Sequence, residues 1–168
     1  MFQGAALYLF PLIMLTAAIS DLMTMRISNL LSIALLAAFL GMAYYTNMPM
    51  ETLLWSLACG LLVLLITFGM FAMNWVGGGD AKLVSVTAVW MGWSLILPYL
   101  AIASIFGGLL TIFLLVFRRF KLASFLKGAA WAERLHRPKG GIPYGVALAA
   151  SALCFYPASK ISMALAGA

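Results

Sequence analysis

Residues 83–117 read LVSVTAVWMGWSLILPYLAIASIFGGLLTIFLLVF, without a single charged side chain. The run is too long for one membrane crossing, which takes about 20 apolar residues and rarely more than about 25. How it divides therefore decides how often the chain crosses. Pro98 is the expected breakpoint, because proline lacks a backbone N–H and clashes with the preceding helical turn. Trp93 and Tyr99 lie close to it, and aromatic rings gather at membrane interfaces. Two spans are expected, about 81–97 and 98–117.

The remaining sequence repeats the pattern. Of 168 residues, 65% are hydrophobic and only 8% charged, against about 25% charged in soluble domains. Mean hydropathy is +1.10. Further apolar runs cover about 4–20, 29–45, 52–74 and 142–165. The expected fold is thus all-α: an integral membrane bundle of six transmembrane helices, with residues 1–168 forming a single membrane-embedded domain. The N-terminal run is expected to be the first span, since no Lys or Arg precedes it and cleaved signal peptides carry a basic leading region.

Six spans fix the placement of charge. Arg26, Lys82 and the basic loop at 118–141 fall on one side, while Lys160 and Glu51 fall on the other. Basic residues mark the cytoplasmic side, so both termini are expected to be non-cytoplasmic. If 81–97 did not cross, the basic loop would lie opposite Arg26 and Lys82 and the asymmetry would vanish. The net charge of +6 is then a signature of orientation, and no nucleic-acid partner is implied. Within the loop, Leu122, Phe125, Leu126, Ala129 and Ala130 have helical spacing. They suggest an amphipathic helix on the anionic leaflet, with membrane lipids as partners. Orientation alone, or docking of a substrate segment, are the competing roles. Trp131 and His136 are expected to anchor the loop at the interface.

The acidic residues are Asp21, Glu51, Asp80 and Glu133. Glu51 and Glu133 fall in loops. Asp21 and Asp80 end span one and open span four on the same side of the membrane, at the same depth. A carboxylate at membrane depth is costly and marks function by default. The bland reading pairs Asp21 with Arg26 and Asp80 with Lys82. It leaves unexplained Gly77, Gly78 and Gly79, which directly precede Asp80. Glycine allows close backbone approach, and a glycine turn can line a wet cavity where broken backbone is tolerated. Cys59, Cys154 and His136 cannot supply the roughly four ligands of a structural zinc site, so no metal is expected.

Gly77-Gly78-Gly79-Asp80 matches the G-x-G-D signature of intramembrane aspartyl proteases, and GGGDAK at 77–82 resembles the prepilin peptidases (type IV leader peptidases) in particular. Asp21 followed by Arg26-Ile27-Ser28-Asn29 is similar to their first-aspartate element, in which an "IPN"-like tripeptide follows the aspartate; here Ser28 replaces the usual proline. Ile142-Pro143-Tyr144-Gly145 resembles the "PYG" element of the short members. The chain lacks the cysteine-rich region of the longer members, which also methylate their product. It looks like the short, cleavage-only form serving tight-adherence (Flp) pili.

The resemblance implies an aspartic endopeptidase of the bacterial cytoplasmic (inner) membrane, multi-pass, that removes the leader from prepilins at the cytoplasmic face. Asp21 and Asp80 would be the catalytic pair, supported by Gly77, Gly78, Gly79, Lys82 and Asn29. No cofactor is implied, and other pilus-assembly proteins are possible partners. Two carboxylates sharing a site hold one proton between them; the ionised member activates water and the protonated one donates to the carbonyl oxygen. Lys82 has two readings, biasing the pair toward ionisation or snorkelling to lipid phosphates. The alternatives are an archaeal-type preflagellin peptidase, or a small non-enzymatic transporter or scaffold subunit.

Overall fold

The computed structural model describes residues 6–122, 128–138 and 140–167, and among these the regular structure is all helix, with no strand. α1 (Leu9–Thr24) and α2 (Asn29–Tyr45) form a hairpin, followed by α3 (Met50–Ala72), the long α4 (Gly78–Phe117), the short α5 (Ala130–His136), α6 (Tyr144–Phe155) and α7 (Lys160–Gly167). α3 and α4 are long and apolar enough to cross a membrane. Leu61, Leu65, Ile66 and Phe68 of α3 are exposed, an apolar outer face that suits lipid as solvent.

The turns follow from local sequence. α1 ends at Met25, which takes a left-handed conformation (φ 55°) and donates its N–H to the Asp21 carbonyl at 2.8 Å. Ser28 then caps α2, its hydroxyl accepting the Leu30 N–H at 3.2 Å, and capping of this kind contributes about 1 kcal/mol. The φ of Ser28 is −66°, the value a proline ring would impose. Serine at this position therefore takes the φ a proline would hold and adds a cap.

The break in the long apolar run is at Gly92, not Pro98. Gly92 has φ 62° and ψ −178°, a region open essentially to glycine alone. The two arms of α4 fold back on each other there: Asp80 and Val84 share a cavity wall with Leu100 and Ser104. On a straight helix Asp80 and Ser104 would be about 36 Å apart. Pro98 lies inside the second arm, where it removes one backbone hydrogen bond without ending the helix. Two aromatic rings brace the fold-back. The Trp90 indole donates to the Leu35 carbonyl at 3.0 Å and the Trp93 indole to the Trp55 carbonyl at 2.9 Å.

The last apolar run is bent, and its two helices are apolar enough to cross a membrane only if taken together as one broken span. α6 stops at Phe155, a 3₁₀ turn spans Tyr156–Ala158, and α7 leaves at 46°. Pro157 in that turn cannot donate a backbone hydrogen bond.

An aromatic cluster closes the end of the bundle near Gly92. Phe10 stacks on Tyr156 with ring centroids 4.6 Å apart and tilts against Trp90 at 4.8 Å, and Phe39 meets Trp90 edge-on at 5.6 Å. Phe10 and Asp21 stand at opposite ends of α1. The rigid aromatic end therefore fixes the helices whose other ends carry the two aspartates.

Candidate active site

Asp21 lies in the last turn of α1 and is only 5% exposed. A buried carboxylate needs a hydrogen-bond donor. It finds one in the chain's last third: the Gly145 N–H donates to Asp21 Oδ2 at 2.7 Å. Gly145 is in the first turn of α6, where backbone N–H groups have no helical partner. A side chain there would not fit. A Cβ on Gly145 would stand 2.8 Å from Asp21 Oδ2 and 2.8 Å from Ile27 Cδ1.

Asp80 occupies the first turn of α4, three residues after the N-cap Gly77. Acidic groups are favoured at this position by the helix dipole. Its carboxylate folds back over Gly77, where a Cβ would come within 3.0 Å of Oδ2. The expected irregular glycine turn is absent. Gly78 and Gly79 are already helical, none of the three glycines has a positive φ, and the left-handed residue of this connection is Asn74 (φ 59°). The glycines provide close approach instead. A Cβ on Gly78 would press on the Phe71 ring at 3.2 Å, and one on Gly79 would press on Ile27 at 3.1 Å.

Ile27 thus lies against both Gly79 and Gly145. Through it the two aspartate-bearing helix ends meet. Asn29 and Lys82 close the other side: Lys82 Nζ donates to Asn29 Oδ1 at 2.8 Å, tying the start of α2 to the start of α4.

A cavity of about 440 Å³ opens beside Asp80. Its walls are apolar, including Val63, Val84, Leu100 and Leu148, with Thr67, Ser104 and Tyr144 contributing hydroxyl groups. Thr67 Oγ1 donates to the Val63 carbonyl at 2.8 Å and lies 3.3 Å from Ser85 Oγ. The first bond stays within α3, and the Thr67–Ser85 contact joins α3 to the first arm of α4, five residues past Asp80. Tyr144 packs on the second arm, where a Cβ on Gly107 would meet its ring at 2.9 Å. The arrangement sets Asp80 on the wall of an apolar groove, with Asp21 on the helix end that meets it through Ile27.

Gly145 and Tyr144 were not among the expected site residues, although the motif at 142–145 flagged their segment. Nothing in the sequence showed that its glycine N–H would meet Asp21. Thr67 carries no signal at all. The expected amphipathic helix falls mainly on residues 123–127, outside the described residues, as does Lys139. His136 of α5 packs edge-on against Phe117 at 5.2 Å.

Residues 8–112 match the type IV leader peptidase family. The chain belongs to that family. The matched region holds both aspartates and the Gly77–Gly79 run, and the family is one of aspartic-type peptidases that act on prepilins. Comparison with curated proteins and with solved structures gives no match.

Proposed function

We propose that this family member is a prepilin peptidase of the short, cleavage-only form, with Asp21 and Asp80 as its catalytic pair. The observation that carries this reading is the meeting of the two aspartate-bearing helix ends at Ile27, with the Gly145 N–H holding the Asp21 carboxylate. One carboxylate, ionised, takes a proton from water as the water attacks the peptide carbonyl. The other, protonated, donates to the carbonyl oxygen, and a later proton transfer releases the amine. Gly77, Gly78 and Gly79 let the helix end close on the pair, and Lys82 with Asn29 holds α2 against α4.

The groove beside Asp80 favours a substrate whose apolar segment lies in the membrane and whose cut bond reaches the carboxylates. A prepilin, with a short polar leader ahead of an apolar helix, has that form. We read the chain as a six-span protein of the bacterial cytoplasmic membrane, cutting at the cytoplasmic face and serving Flp-type pili. Co-expression with candidate prepilins, followed by gel shift of the leader, tests the proposal. Asp21→Asn and Asp80→Asn should each slow cleavage by about 10²–10⁴-fold, the usual worth of general acid–base catalysis. Wild-type cleavage by either variant would remove that aspartate from the mechanism.

A further inference from the structure

The basic segment that follows α4 has a use that neither membrane orientation nor substrate docking supplies. Arg118, at the end of α4, donates from Nε to the Leu135 carbonyl and from Nη2 to the Gly141 carbonyl, both at 2.7 Å. Arg134 of α5 donates from Nη1 to the Met23 carbonyl at 2.6 Å. All three acceptors are backbone carbonyls, so each bond fixes the path of the chain.

The positions of those carbonyls matter. Met23 is in the last turn of α1, two residues after Asp21. Gly141 is four residues before Gly145, whose N–H holds the Asp21 carboxylate. Between them Pro143 is buried and restricts the backbone. Gly140 sits inside the network: a Cβ there would fall 2.9 Å from the Arg134 carbonyl, 3.0 Å from the Arg137 carbonyl and 3.3 Å from Arg118 Nη2.

We propose that Arg118 and Arg134 form a guanidinium strap that sets the position of Asp21, by holding both the helix that carries it and the loop that delivers the Gly145 N–H. Both are positioning residues. The kinetic part of this proposal rests on the peptidase reading above; the structural part does not. A lysine keeps the charge but not the two-pronged donor geometry of arginine. Charge-based roles, orientation or leader docking, therefore survive Arg118→Lys, and the strap does not.

The test uses the full chain purified in micelles, with two readouts. In cleavage of a prepilin, Arg118→Lys should lower kcat at least tenfold, since displacements near 1 Å cost about 10²-fold, while KM stays within about twofold. Hydrogen–deuterium exchange should rise in peptides covering 141–146. Gly140→Ala retains every charge and crowds the same network, so it should reproduce both effects, and it decides the matter if Arg118→Lys does not fold. Wild-type kcat with unchanged exchange overturns the strap. So does a raised KM with unchanged kcat, which would assign the cations to leader docking, and so does a lowered kcat without increased exchange. If wild type cleaves no prepilin, the peptidase reading fails, and exchange in the same two variants still decides the strap.

Discussion

At the residue scale, the buried carboxylate of Asp21 depends on one backbone N–H from a distant helix. That dependence makes Gly145 a sharper probe than the polar residues nearby. Gly145→Ala leaves the N–H in place but introduces a methyl group within 2.8 Å of both Asp21 Oδ2 and Ile27 Cδ1. The carboxylate must move or the first turn of α6 must. We expect kcat for leader cleavage to fall about 10²-fold, as misplacement near 1 Å does, with KM little altered. Steady-state kinetics on a purified prepilin measure both, and a kcat equal to wild type would show that Asp21 does not depend on this contact. Lys82 illustrates the opposite case. Charge and position alone left it between lipid and the carboxylates, whereas its ammonium lies 2.8 Å from Asn29 Oδ1. A sequence lists side chains but not which of them meet. The motif residues could therefore be found by charge placement and resemblance, while the partners of Lys82 and Asp21 could not.

At the scale of the element, the decisive position is the fold-back in α4. Proline was the expected breakpoint because it disrupts a helix interior, and two aromatic residues beside it suited an interface. Yet Pro98 lies inside the second arm without ending it, while a reversal needs a residue able to take φ 62° with ψ −178°. Gly92 can do so and its neighbours cannot. The division of the run into two arms was legible from its length; the place of division required the backbone geometry. The same distinction applies to Gly77–Gly79, whose use for close backbone approach was legible and whose helical backbone, in place of the expected irregular turn, was not. Gly92→Ala should destabilise the protein by about 1–3 kcal/mol, the usual cost of a residue forced into such a region. Pro98→Ala restores a helix former and should leave stability equal or slightly higher. Thermal unfolding in micelles compares the two. A stable Gly92→Ala together with an unstable Pro98→Ala would return the breakpoint to Pro98.

At the scale of the whole molecule, the fold-back in α4 determines which side receives the basic segment. The second arm runs antiparallel to the first and continues past the level of Asp80, since Ser104 shares the cavity with Asp80 and Phe117 lies about 20 Å further along the helix. Arg118 and α5 are thus carried to the same end of the bundle as Asp21, where Arg134 reaches the Met23 carbonyl. The charge pattern gives that end a side. Arg26, Lys82, Arg118, Arg119, Arg134 and Arg137 gather there, and basic residues are retained in the cytoplasm. The connection between α2 and α3, and the end of α7, should then face outward. In a background with Cys59 and Cys154 replaced by alanine, single cysteines can be introduced as Asn47→Cys, Pro138→Cys and Gly167→Cys. A membrane-impermeant maleimide should label the first and third in intact cells and the second only after permeabilisation. Labelling of Asn47→Cys and Pro138→Cys from the same side would mean that α3 and the two arms of α4 together cross an even number of times, and the six-span reading would fail.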